Sequence, residues 1–180
     1  MDKTDVWELV EQARSQVVDA DDVDAVAQRM AELLATHQPD QIAAFDRPLS
    51  DLVAESYLAP LWAAAYVING GASDDGFDYF RGWLIGQGRG VYERALADPD
   101  SLADVPAVVE AADEDDVLES EDMLSVAWDA YEAATGGELP ATRGGSPRPP
   151  LDPDWDFDFD DDDEMSARLP RLTALFYDED

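Results

Sequence analysis

The chain contains no cysteine, one lysine (Lys3) and one histidine (His37). Without cysteine it can hold no disulfide, no thiolate metal site and no thiol nucleophile. A single histidine excludes metal centres built from several imidazoles. Basic residues are scarce altogether: 11 Lys and Arg stand against 43 Asp and Glu, a formal net charge of -32. A field of that sign repels nucleic-acid phosphate and anionic lipid, so direct binding to either is not expected. It suits a basic protein partner, divalent cations, or plain solubility, including solubility in high salt. Long apolar runs are missing too, and no stretch approaches the length of a membrane span. The opening MDKTDVWELV lacks the basic start and apolar run of a signal peptide, so the expected address is cytoplasmic.

Apolar material is nonetheless ample. With 180 residues, 46% of them hydrophobic and five of them tryptophan, the chain can bury a sizeable core. Its periodicity is helical, with no convincing β-hairpin and no internal repeat, which predicts an all-α domain of about six to eight helices. Thr4-Asp5 is expected to cap a first helix running to about Val18, with Glu8 at capping-box distance. Asp21 or Asp22 opens a second. Pro39 opens a third, which Pro48 should kink or loosen. Pro60 starts PLWAAAYVIN, apolar nearly all round and therefore expected to be the central helix, stopped by Gly70-Gly71. His37, before Pro39, fits a helix end better than a catalytic role.

Composition divides the chain into a helical domain over 1–136, a Pro/Gly-rich linker over 137–153 with Arg143 and Arg148, and an acidic aromatic tail over 154–180. In the tail, Trp155-Asp156-Phe157-Asp158-Phe159-Asp160 alternates ring and carboxylate. That period of two is strand-like and places the rings on one side. The tail should end in a short helix and pack back on the domain. Its acids at Asp152, Asp154, Asp156, Asp158, Asp160 and Asp163 imitate a calcium loop, but Phe157 stands where the turn demands glycine. Weak cation condensation is the better reading.

The segment GGASDDGFDYFRGW (residues 70–83) is the candidate site. Ser73, Asp74, Asp75, Asp78 and Arg81 could bind a ligand or a hard cation such as Mg²⁺, with Gly70, Gly71 and Gly76 admitting close backbone approach. Glu55, Tyr57 and Trp62 could complete a pocket beside it. The competing account is structural. Ser73 caps a helix, Asp74 and Asp75 complement its dipole, and Phe77, Phe80, Trp83 and Leu84 form a core face. Arg81 falls three residues after Asp78 and can pair with it. GQGRG has neither the Lys-Ser/Thr ending nor the preceding strand of a phosphate loop, and its glycines suggest close packing or a bend.

The stretch LWAAAYVINGGASDDGFDYFRGWLIGQGRGVYERALADPDSL resembles the signature of a bacterial domain of unknown function, DUF4240. The likeness covers about residues 4–135, and its motif positions include Gly70, Gly71, Phe77, Tyr79, Phe80, Trp83, Leu84 and Gly88. The resemblance implies a mostly helical domain and carries over no catalytic residue. No cofactor, metal site or catalytic residue is assigned. The expected function is a non-catalytic interaction module for a basic protein; the alternative is an enzyme or ligand-binding domain, possibly metal-assisted, centred on GGASDDGFDYFR.

Overall fold

Among the residues that a computed structural model describes (1–114, 116–141 and 147–177), ten α-helices and two short 3-10 turns follow one another without a strand. The helices are α1 Lys3–Arg14, α2 Val23–Leu34, α3 Pro39–Glu55, α4 Ala59–Ile68 and α5 Asp74–Gly86. They continue with α6 Arg89–Ala97, α7 Pro106–Glu114, α8 Asp122–Thr135, α9 Asp162–Arg168 and α10 Pro170–Phe176. The 3-10 turns span Pro99–Asp104 and Pro153–Trp155. The all-α expectation holds, but the helices outnumber the six to eight expected. Proline is the reason: both turns, α7 and α10 each begin on one, where its fixed φ and missing N–H suit a first turn and end whatever precedes it. Arg143, the middle of the linker and Asp115 of the acidic run lie outside the described residues.

Two local expectations are corrected. The cap of α1 is Asp2, not Thr4 or Asp5: its carboxylate accepts from the Thr4 N–H at 2.7 Å, and the Asp5 carboxylate accepts the Asp2 N–H at 2.6 Å. The helix ends at Arg14 instead of near Val18, which is fully exposed. There Arg14 Nη1 donates to the carbonyls of Ala20 at 2.8 Å and Gly86 at 2.7 Å, tying the first turn-off to the end of α5. The period-two tail is not a strand, since Pro153 starts a 3-10 turn and bends follow. Its alternation survives all the same, with Trp155, Phe157 and Phe159 half-buried and Asp156, Asp158 and Asp160 exposed.

The packing hub is α8 rather than α4. Met123, Val126, Ala127 and Ala130 recur at helical spacing on its buried side, and these mostly slim side chains let α2, α3 and α5 approach. Glycine does the same on α5. A Cβ at Gly82 would run into the Ser120 carbonyl oxygen, and one at Gly86 would run into Val23 Cγ1 and stand 3.2 Å from Met123 Cε. Helix α4 is buried along most of its length, with Trp62 and Tyr66 as its half-exposed side. Between α7 and α8 an extended segment is pinned by Leu118 N–H to Asn69 Oδ1 at 2.9 Å and Ser120 N–H to the Tyr79 carbonyl at 2.9 Å. Helix α10 has no side-chain cap of its own. Instead Asp100, buried in the first 3-10 turn, accepts the Arg171 N–H at 3.1 Å and the Leu172 N–H at 3.0 Å.

The charge makes a prediction about this fold. Burial raises the Glu119 and Asp129 carboxyls above their ordinary values, and Asp122 and Glu132 push Asp129 further. A raised value means the folded chain binds the proton more tightly than the unfolded one, so stability is gained as pH falls through it. Asp2, held low chiefly by the Thr4 and Asp5 N–H groups, acts oppositely, but only below the ordinary carboxylate range. At low salt the thermal midpoint is therefore expected to rise as pH falls from neutral towards the ordinary carboxylate range. KCl at about 1 M should raise it at pH 7 and flatten the pH dependence by screening self-repulsion. Each kcal/mol relieved shifts the midpoint by about 2–4 °C in a chain of this size. A midpoint that falls over that interval at low salt contradicts the prediction.

Candidate functional site

The candidate segment begins as a helix stop. Gly70 and Gly71 have φ of 62° and 133°, the left-handed region that side chains resist, and Gly71 N–H reaches back to the Tyr66 carbonyl at 2.8 Å. The reversal delivers the Ala72 carbonyl to the Trp62 indole N–H at 3.0 Å, which fixes the Trp62 ring. Ser73 then caps α5, accepting the Gly76 N–H at 3.1 Å. Asp74 and Asp75 occupy the first turn, exposed, where carboxylates meet the positive end of the helix dipole. One turn on, Phe77 is fully buried and stacked on Trp62 with ring centroids 4.7 Å apart and an interplanar angle of 15°.

Arg81 is the centre of this arrangement. Its side chain is 0% exposed, and every nitrogen of the guanidinium has a partner. Nε donates to the Phe77 carbonyl at 3.3 Å, Nη2 to the Asp78 carboxylate, and Nη1 to the Val53 carbonyl. The plane sits 4.8 Å from the Phe77 ring centroid and 5.2 Å from that of Tyr57. Val53 lies in the last turn of α3, so Arg81 places a positive charge at that helix's C-terminal end and satisfies one of its orphan carbonyls. Beside it the Tyr92 hydroxyl donates at 2.6 Å to the Leu52 carbonyl, which also accepts the Ser56 N–H at 3.1 Å. Burial pushes the Arg81 guanidinium below its ordinary value and Asp78 opposes that shift. A guanidinium starts so high that it remains charged. From the linker, Arg148 closes over the outside, with Nη2 3.0 Å from Asp78 Oδ2 and its guanidinium carbon 4.7 Å from the Tyr57 ring centroid.

Of the five candidate residues, the fold brings Asp78 and Arg81 together and leaves Ser73, Asp74 and Asp75 at the exposed start of α5. Among the described residues, no three His, Asp or Glu side chains gather to hold a metal ion, in the segment or in the acidic tail. Tyr57 and Trp62 join the segment as aromatic neighbours of Phe77, at 5.9 and 4.7 Å, while Glu55 pairs with Lys3 elsewhere. His37 bonds the Leu34 carbonyl through Nδ1 at 3.2 Å, at the end of α2. The motif residues Phe77, Phe80, Trp83 and Leu84 are core, and the Tyr79 carbonyl anchors Ser120. Gly88, with φ of 91°, starts α6 against the Glu11 carboxylate.

Spacing between Asp78 and Arg81 made their pairing legible, but not the complete burial of Arg81, nor the Val53 carbonyl as its partner, nor Arg148 as a second partner of Asp78. One clue was present. Arg81 follows Phe77 by four residues, Phe80 by one, and precedes Leu84 and Ile85 by three and four, so it lies inside the apolar stripe of α5.

These features define a helical domain organised around one capped, aromatic-faced helix that carries a buried arginine. The chain belongs to the DUF4240 family, described as a protein of unknown function, whose family model matches residues 1–133. That span runs from the start of α1 into α8 and includes the whole candidate segment; the tail lies beyond it. Comparison with curated proteins and with solved structures finds no match. Among the described residues no helix is long and apolar enough to cross a membrane.

Proposed function

We propose that the chain is a non-catalytic cytoplasmic interaction module that engages a basic protein. Its helical body spans 1–136, and the tail over 154–180 folds back on it beyond the linker at 137–153. One observation carries the reading: the polar groups of the motif segment are occupied by the fold or left open on the surface. Arg81 is spent on Val53, Phe77 and Asp78, and Ser73 on the α5 cap. A catalytic site needs a nucleophile or electrophile within reach of a base in a shared cleft, and this segment is arranged differently. The return of the tail is supported by the Asp100 bonds to α10 and by Phe159, whose ring lies 5.6 Å from that of Tyr66.

The test is a calorimetric titration with an arginine-rich peptide and with an oligo-glutamate control. Saturable binding of the basic peptide is expected at about 0.01 M salt, where the screening length is about 30 Å, and loss of it near 1 M, where it is about 3 Å. The acidic control should not bind. Failure of the basic peptide at low salt, or binding indifferent to salt, overturns the reading. Mg²⁺ titrated in parallel should give equal, weak heats with wild type and with Asp74→Ala/Asp75→Ala; tight uptake lost in that variant would favour the metal-assisted alternative.

A further inference from the structure

The alternation of ring and carboxylate in the tail has no part in the motif segment, yet it lines a cleft of its own. The cleft holds about 580 Å³ between α4 and residues 151–159, within the size range of small-ligand sites. Five aromatic rings face it: Trp62 and Tyr66 from α4, and Trp155, Phe157 and Phe159 from the tail. Asp152, Asp156 and Asp158 also belong to the lining, Asp152 and Asp158 each accepting a local backbone N–H, and no Lys, Arg or His is among the described residues that form it. Ala72 also lines it, so the helix stop that fixes Trp62 through the Ala72 carbonyl shapes the inner wall.

Elsewhere the fold shows what this combination of side chains receives. Among the described residues it three times seats a guanidinium over aromatic rings beside a carboxylate. Arg81 lies over Phe77 and Tyr57 with Asp78, and Arg148 over Tyr57 with the same Asp78. Arg168 lies 5.0 Å from the Trp155 ring centroid and 4.7 Å from that of Phe157, with its Nε 3.1 Å from Glu164. Trp155 and Phe157 are themselves walls of the cleft, although Arg168 does not line it. A ring face attracts a cation electrostatically, and the planar, weakly hydrated guanidinium stacks where an ammonium does not. The adjacent carboxylates add charge complementarity.

We infer that this cleft is a recognition site for the side chain of an arginine presented by a basic protein partner, held between the tail rings and α4 and paired with the tail aspartates. The inference rests on the reading of the chain as a module for basic partners and gives that reading a place.

The experiment uses the full chain, an arginine-rich peptide, and the same peptide with citrulline at each arginine. Citrulline keeps the planar shape and removes the charge. Wild type should bind the arginine peptide, and the citrulline peptide at least tenfold more weakly. Trp155→Leu/Phe157→Leu keeps both side chains apolar and removes two ring faces; it should lose about tenfold in affinity. Asp156→Asn/Asp158→Asn changes exposed side chains only and should lose a comparable factor, while Asp19→Asn/Asp21→Asn, away from the cleft, should lose less than twofold at the same salt. If the arginine peptide binds all variants alike, the cleft is not the site while the broader reading stands. If it binds none, wild type included, both fall. Agmatine separates the sources: binding as tight as the peptide's would assign the cleft to a small cation and overturn the partner assignment.

Discussion

Replacing Arg81 with alanine is expected to cost about 3–5 kcal/mol, a large fraction of the 5–15 kcal/mol that holds a typical domain together. Two losses combine. The side chain is among the largest that are fully buried, so truncation opens a cavity between α3 and α5. The Val53 carbonyl also loses the guanidinium and keeps only the Ser56 hydroxyl at 3.0 Å. Two further variants separate volume from charge. Arg81→Met fills most of the space and leaves Asp78 paired with Arg148, so it should cost less than alanine. Arg81→Lys keeps the charge but lacks the planar fork that serves Phe77, Val53 and Asp78 from three nitrogens. Urea denaturation measures all three. An alanine variant within about 1 kcal/mol of wild type would show that Arg81 is not the joint described.

The second large effect concerns glycines that look alike in sequence. Gly82→Ala and Gly86→Ala should each destabilise by about 1–3 kcal/mol, whereas Gly90→Ala should be neutral or stabilise by up to about 1 kcal/mol. At Gly82 the obstacle is the Ser120 carbonyl oxygen, backbone that is held in turn by the Tyr79 carbonyl. At Gly86 it is Val23, buried at the start of α2, with Met123 beside it. Both offending atoms belong to well-packed elements, so the clash outweighs the gain in helix propensity. A Cβ at Gly90 meets nothing within 4 Å, so only the reduced freedom of the unfolded chain counts there. Thermal midpoints for the three variants decide the matter, and a Gly82→Ala variant as stable as wild type would mean that α5 and α8 approach less closely than described.

That contrast also marks where sequence reading stops. Periodicity and punctuation made α2 to α5 legible almost to the residue, because Asp22, Pro39, Pro60, Gly70 and Ser73 act within a few residues of themselves. The core face of α5 was legible for the same reason. Close packing at Gly82 and open space at Gly90 are equal in sequence, because the difference is made by residues about 40 positions away. Arg81 was legible as the partner of Asp78 and not as the cap of α3, since Val53 lies 28 residues upstream. In the tail, period two correctly separated rings from carboxylates but suggested a strand. A strand needs a neighbour to accept its backbone bonds, and Pro153 instead begins a turn.

Asp100 makes the last helix dependent on a distant part of the chain. Helix α10 is seven residues long, too short to nucleate on its own, and lacks a side-chain cap. The carboxylate that receives its first N–H groups sits 71 residues earlier, in the turn at 99–104. The first N–H groups of residues 170–176 thus rely on a carboxylate that belongs to the family-matched span, in the turn at 99–104.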